Sequence, residues 1–208
     1  IKAILGEEAH REIGKDDVVV LSPGIKPHSP VYEWVKARKN QILSELDVGF
    51  LFCQAPIIAV TGSNGKSTVV TLAAKILEHT GKKLWLRGNI GTPLSLDADR
   101  MNGDDLVVCE ASSFQLAESR WFRPKIAVVL NVQTNHLDWH ESMQAYADAK
   151  KGMLIHLTQS EYALLNADDP VVREFFKSTR ADCYFFSRDE KVKGAYVENN
   201  IIFVNLNN

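Results

Sequence analysis

Cysteine is scarce in this chain: Cys53, Cys109 and Cys183 are the three among 208 residues. They are far apart, odd in number and never spaced as CxxC, which argues against a disulfide framework or a cysteine zinc site. Each reads as a small buried hydrophobe, and a reducing cytoplasm is the default compartment. Charge of one sign is not in excess either: 24 basic residues face 26 acidic ones, for a net charge of −2. A nucleic-acid binder carries a basic excess or stripe, so that class is set aside. No apolar run approaches the roughly 20 residues that span a bilayer. The first residues, Ile1 to Glu8, reach acids quickly and lack the long apolar core of a signal peptide. They also lack an initiator Met, and the expectation is a fragment or a trimmed chain. Internal repeats and low-complexity tracts are absent. The expected partners are small molecules, with no nucleic acid, no membrane and a monomeric state.

What is present is an alternation of apolar runs and helical stretches. Strand-like runs fall at Asp17–Leu21, Ile57–Val60, Lys83–Leu86, Leu106–Cys109, Ile126–Leu130, Tyr162–Leu165 and Cys183–Phe186. Helical spacing falls at Pro30–Arg38, Lys66–His79, Ser113–Trp121, Ser142–His156 and Pro170–Lys177. Within Lys66–His79, residues Val69, Leu72, Ala73, Ile76 and Leu77 read as one apolar face. Near-continuous apolar strands alternating with helices predict an α/β fold with a mostly parallel sheet covered on both faces. Gly194 to Asn208 reads as a β-hairpin turning at Asn199-Asn200. A boundary is expected near Gln54-Ala55-Pro56. Residues 1–54 would then be the tail of one α/β domain, and 55–208 a nucleotide-binding domain that is itself incomplete.

The second domain opens with Thr61-Gly62-Ser63-Asn64-Gly65-Lys66-Ser67-Thr68. Glycines let backbone N–H groups turn toward a polyphosphate, and the helix that follows adds its positive end. Lys66 would reach the β- and γ-phosphates of ATP, and the Ser67 hydroxyl would ligate Mg²⁺. A chance GKS in a helix cap is the bland alternative, and the strand–loop–helix context argues against it. The usual loop, G-x-x-x-x-G-K-[ST], would put its first glycine at position 60. Val60 stands there and Gly62 takes over, which points to a variant class.

With that displaced glycine, the loop resembles the Mur ligase family, ATP-dependent ligases that build the peptide of bacterial cell-wall precursors. Four further segments resemble the family in order: Gly88-Asn89-Ile90-Gly91, Glu110-Ala111-Ser112-Ser113-Phe114-Gln115-Leu116, Asn131-Val132-Gln133-Thr134-Asn135-His136-Leu137-Asp138, and Tyr146-Ala147-Asp148-Ala149-Lys150. Asn135 stands where the family often has Asp, and Ala111 where it more usually has Leu. The Ser112–Leu116 stretch and Ser22-Pro23-Gly24-Ile25 are most like the branch that adds D-glutamate to UDP-N-acetylmuramoyl-L-alanine. The resemblance implies a P-loop NTPase-like central domain behind the remnant of a Rossmann-like, UDP-binding one. It also implies that the chain lacks the family's C-terminal domain, so weak Mg-ATP binding and no ligation are expected of it alone. Neighbouring amide ligases of the Mur or folylpolyglutamate type remain alternatives, as does a non-catalytic nucleotide-binding module. A GTPase switch would need NKxD and DxxG motifs, and neither is found.

Each candidate residue has a plainer reading beside this one. Glu110, at a strand end next to the loop, is placed to share Mg²⁺ with Ser67; otherwise it is a solvated strand-end acid. His136 would hold a second Mg²⁺ by the resemblance alone, since magnesium prefers oxygen ligands. Lys150 would be carbamylated by CO₂ and support the metal site, which requires a desolvated, neutral amine; otherwise it is solvated like Lys151. Asn89 would lie near the phosphates and the acceptor, with glycines on both sides allowing close approach, or simply make a turn. Ser112, Ser113 and Gln115 would contact substrate or cap a helix. Ser22 and Gly24 would border the UDP-phosphate pocket. By the resemblance, Lys66, His136 and Lys150 form the catalytic set, and Gly62 to Thr68 with Asn89 hold ATP.

Overall fold

The computed structural model describes residues 9–133 and 137–206. In chain order it contains β1 (Val18–Val20), α1 (Pro30–Ala37), β2 (Gln41–Leu43), α2 (Glu45–Phe52), β3 (Ile57–Thr61), α3 (Lys66–Leu77), β4 (Leu84–Gly88), β5 (Leu106–Glu110) and α4 (Ser113–Ala117). There follow β6 (Ile126–Val129), α5 (Leu137–His140), α6 (Met143–Ile155), β7 (Tyr162–Asn166), α7 (Pro170–Arg173), β8 (Asp182–Ser187), β9 (Gly194–Glu198) and β10 (Ile201–Asn205). Strands β1 and β2 make a small parallel pair. The other eight form one sheet in the order β10-β9-β8-β7-β6-β3-β5-β4, parallel except where β10 turns back on β9. That turn is Asn199-Asn200, with φ of 51° and 61°, the left-handed pair that a tight hairpin requires.

The central strands β3, β5 and β6 are buried on both faces, as their apolar runs predict, whereas β10 is exposed along its length. Along β3, Ile57 and Ala59 point to one side and Val60 to the other, because strand side chains alternate. The first side is the larger core, where Leu46 of α2, Leu116 of α4 and Met153 and Leu154 of α6 meet Val107, Cys109, Ala127 and Val129. On the second side α3 packs over Val60, Val108, Val128 and Leu130.

The apolar face expected of α3 needs correction. Val70 is its fully buried residue, flanked by Val69, Ala73, Ala74 and Leu77, whereas Leu72 and Ile76 are 58% and 61% exposed. A period of 3.6 allows two overlapping apolar stripes in such a helix, and only the sheet's position selects one. The helix expected at Ser113–Trp121 stops at Ala117, because the chain then turns to place the Ser119 hydroxyl and the backbone N–H groups of residues 120–122 on Asp47.

Strands β1 and β2 with α1 enclose their own cluster of Val19, Leu21, Val35 and Ile42. Helix α2, on the near side of the boundary expected at Gln54–Pro56, instead contributes Leu46 to the core of the large sheet. Its Asp47 is fully buried and accepts from Ser119 Oγ at 2.8 Å and from the N–H groups of Arg120, Trp121 and Phe122, besides capping Ser44 N. Burial alone would raise its pKa, but the bonds from Trp121, Ser119, Ser44 and Arg120 outweigh burial and hold it below the ordinary carboxylate value. The resulting stability is therefore present above the unfolded pKa and is lost as pH falls through the lower folded one. Replacing Asp47 with Ala should cost about 3 kcal/mol in urea unfolding at neutral pH, since several buried donors lose a charged acceptor. The difference between variant and parent should shrink in acid, and a difference that does not change with pH would contradict this account.

Candidate nucleotide and metal site

The large sheet changes direction at β3: the chain builds β4 and β5 on one side of it, then crosses to β6, β7 and β8 on the other. A crevice therefore opens beyond the carboxyl ends of β3, β5 and β6, the position where such sheets bind ligands. All three of those ends carry segments singled out in the sequence. The phosphate loop follows β3, Glu110 ends β5, and Asn131 to Gln133 follow β6.

Val60 is 1% exposed and belongs to the core, so the turn begins only at Gly62. This is the physical content of the displaced glycine. Gly65, at φ 85°, is the residue before α3, and its left-handed backbone lets the chain enter the helix without a side-chain cap. The backbone N–H groups at the start of α3 therefore face the crevice as donors. Lys66 Nζ donates to Gly62 O at 2.9 Å and Ser63 O at 3.2 Å.

Ser67 Oγ donates to Glu110 Oε2 at 2.7 Å, and Asn89 Nδ2 donates to Glu110 Oε1 at 2.8 Å. Glu110 is 2% exposed, so it is not a solvated strand-end acid. A hydroxyl and a carboxylate at hydrogen-bond distance are both hard oxygen donors, the chemistry that suits Mg²⁺. The fold thus gathers Ser67, Asn89 and Glu110 at one point.

Lys150 is 1% exposed, on α6 beneath the loop. Its Nζ donates to Gly62 O at 3.0 Å and lies 4.3 Å from the centre of the Tyr146 ring. Burial, reinforced by the nearby charge of Lys66, lowers its pKa from 10.5 to about 7. Lys151, its neighbour, pairs with Asp148 at the surface side of the helix. Gly62 O thus receives both Lys66 and Lys150.

Ser112 caps α4 in a reciprocal box: its Oγ accepts from Gln115 N at 3.3 Å, while Gln115 Oε1 accepts from Ser112 N at 3.1 Å and Ser112 Oγ at 3.0 Å. Ser113 Oγ bonds His140 Nε2 at 2.9 Å. Ser22 and Gln115 line one cleft between the first unit and α4, together with Phe114 and Glu118. Gly24 N donates to Ser22 Oγ at 3.4 Å in the loop after β1. His136, one of the expected metal and catalytic residues, lies outside the described residues.

Three contributors were not among the expected site residues. Tyr146 OH is 3.0 Å from Ser63 Oγ, tying α6 to the loop. Its spacing of four from Lys150 puts the two on one helix face and was a readable signal. Asn131 clamps the loop, its Oδ1 accepting from Asn64 N at 2.9 Å and its Nδ2 donating to Asn64 O at 3.1 Å. Gln133 Oε1 accepts from Asn64 Nδ2 at 2.9 Å. These contacts join positions 67 and 69 residues apart, and no local pattern foretells them.

Residues 60–205 match the Mur ligase middle domain. The chain belongs to the Mur ligase family. It is 39% identical over 204 residues to the UDP-N-acetylmuramoylalanine--D-glutamate ligase of Streptococcus uberis, covering 98% of this chain and 45% of that protein. The protein of the same name from a Thermoanaerobacter species is 35% identical over 92% of this chain and 42% of its own length. This Mur ligase chain thus spans a little under half the length of the curated relatives it matches. Among solved structures, a UDP-N-acetylmuramoyl-L-alanyl-D-glutamate--2,6-diaminopimelate ligase superposes with a TM-score of 0.64 at 21% identity, over 91% of this chain and 49% of that one. The MurF ligase of Thermotoga maritima, solved with ADP, gives 0.57 at 18% identity, over 94% and 53%. Such likeness supports the shared α/β fold. Among the described residues no helix is long and apolar enough to cross a membrane.

The lowered pKa of Lys150 has a signed consequence. Between about pH 7 and its ordinary 10.5, the unfolded chain binds more protons at this residue than the folded one, so stability rises with pH across that window. Substituting Lys150 with Met should flatten that rise in urea unfolding curves taken from pH 7 to 10; an unchanged slope would show that the amine is not desolvated.

Proposed function

We propose that this Mur ligase chain is the nucleotide-handling part of a ligase that joins D-glutamate to UDP-N-acetylmuramoyl-L-alanine. The reaction would pass through an acyl phosphate in bacterial cell-wall precursor synthesis. The observation that carries the reading is the Ser67–Glu110 contact beside Lys66 at the start of α3. The names and identities of the curated relatives support the D-glutamate branch. In the division that accompanies this reading, residues 1–54 end a UDP-binding domain and 55–208 form the central ATP-binding domain.

An amide cannot form readily from a carboxylate at neutral pH, because hydroxide is a poor leaving group. ATP supplies a better one by phosphorylating the carboxylate. The amine of D-glutamate then displaces phosphate. The protein's part is to hold the phosphates and neutralise the charge that spreads over the transferred group. The N–H groups of Gly65 to Thr68 and the Lys66 ammonium do this for the phosphates, with Gly62 to Asn64 shaping the loop around them and Asn89 at the side of the acceptor. Ser67 and Glu110 hold Mg²⁺, and His136 would bind a second. Lys150 is the residue assigned to carbamylation. Its burial and depressed pKa support this, because CO₂ adds only to the neutral amine. Ser22, Gly24, Ser112, Ser113 and Gln115 face the acceptor. The compartment is the cytoplasm and the working state a monomer.

Two measurements test the reading. Lys66→Ala should weaken Mg-ATP binding by the chain at least about 100-fold in titration calorimetry, the scale of losing a charged phosphate contact in a confined site. Retained affinity would remove the loop from the function. Phosphate release over a panel of UDP-muramoyl acceptors and amino acids, with the remaining segments of the Streptococcus uberis relative joined to this chain, should peak for UDP-N-acetylmuramoyl-L-alanine with D-glutamate. A peak for another pair would reassign the branch.

A further inference from the structure

Glu45 joins two segments of the site that lie far apart in sequence. Its Oε1 accepts from Ser95 N at 2.6 Å, and its Oε2 accepts from Gln115 Nε2 at 3.3 Å. Ser95 sits in the turn Leu94–Leu96, just past Gly88–Gly91, and Gln115 sits in α4. Glu45 itself stands in the first turn of α2, directly after the capping Ser44.

The approach of α2 to that turn is built in. A Cβ at Gly49 would lie 2.4 Å from Leu94 Cγ, so only glycine lets the helix lie this close. The same contact sets Glu45 opposite Ser95. Glu45 also lines, with Ser22, Ser44, Phe114 and Gln115, the cleft between the first unit and α4.

The amide of Gln115 has a fixed orientation for a chemical reason. Its Oε1 is committed to Ser112 N and Ser112 Oγ, so only the Nε2 end can point toward Glu45. An NH₂ group there needs an acceptor, and a carboxylate is a pure acceptor. Glu45 therefore satisfies Gln115 and the Ser95 N–H together.

We propose that Glu45 is a positioning residue for the acceptor side of the site. It orients Gln115 at the cleft bordered by Ser22, while pinning the loop that carries Asn89. It touches no reacting atom. The proposal rests on the ligase reading for the identity of the acceptor, and on the two hydrogen bonds for the positioning itself.

The test uses Glu45→Gln and Glu45→Ala in this chain joined to the remaining segments of the Streptococcus uberis relative. An amide at position 45 keeps one acceptor oxygen and turns the other end into a donor. The 2.6 Å bond to Ser95 is the shorter, so the oxygen should stay there and the new NH₂ should face the NH₂ of Gln115. In ¹⁵N–¹H spectra the Gln115 side-chain pair should move in Glu45→Gln while the Ser95 amide holds, and both should move in Glu45→Ala. Calorimetry with UDP-N-acetylmuramoyl-L-alanine should show affinity falling about tenfold in Glu45→Gln, the scale of one hydrogen bond to a charged group. Mg-ATP affinity should remain within about twofold, the scale of no lost contact. A residue with only a structural role would lower the melting temperature and leave acceptor affinity unchanged; that result overturns the proposal, as does an unmoved Gln115 signal. If the joined parent takes no acceptor, the ligase reading fails, and the Gln115 signal alone decides the positioning.

Discussion

The buried carboxylate of Glu110 is the interaction on which the rest of the site depends. A carboxylate at 2% exposure is costly unless its oxygens are satisfied. Ser67 and Asn89 satisfy one oxygen each, and they come from the first turn of α3 and from the loop after β4. One charge at the end of β5 thus fixes the relative placement of that helix end and that loop. The parallel pairing of β3 with β5 and of β4 with β5 is what makes this reachable, because it brings all three carboxyl ends to one edge.

On the other flank of the phosphate loop the logic is reversed. Gly62 O receives two lysines, Lys66 from α3 and Lys150 from α6. Burial makes the Lys150 charge costly, and repulsion from Lys66 at the same carbonyl adds to that cost. Its pKa falls to about 7, which leaves a substantial neutral fraction under ordinary conditions. Tyr146 contacts both Ser63 and the Lys150 amine, and Asn131 clamps Asn64 from the end of β6. The loop is held on one side by a buried anion and on the other by a desolvated cation.

Much of this is legible in the sequence. The strands of the large sheet are runs of apolar residues, and their order along the chain with intervening helices leaves few alternatives to a parallel sheet. The hairpin at Asn199-Asn200 followed from turn chemistry alone. Other elements were silent for identifiable reasons. Helix α2 reads Glu45-Leu46-Asp47-Val48-Gly49-Phe50-Leu51-Phe52, with apolar residues on every side and no period to follow. It buries Leu46, Asp47 and Gly49 while leaving Phe52 at 62% exposure. A buried aspartate and a buried glycine carry no hydrophobic signal, yet they fasten this helix to the sheet. Ser112, expected either to contact substrate or to cap a helix, caps α4.

By itself the sequence determined the identity of the chemical groups: the glycine-rich loop, the lysine and serine that follow it, and the acid at the end of a strand. It also determined the strand and helix pattern, because periodicity and turn residues act locally. The tertiary structure decided which groups meet. Glu110 finds Ser67 from 43 positions away, Lys150 finds Gly62 from 88, and Glu45 finds Gln115 from 70. Those meetings depend on strand order, register and the close approach at Gly49, none of which leaves a mark in the neighbouring residues. Desolvation is likewise a property of the assembled core, so Lys150 and Lys151 look alike in sequence and differ in the fold.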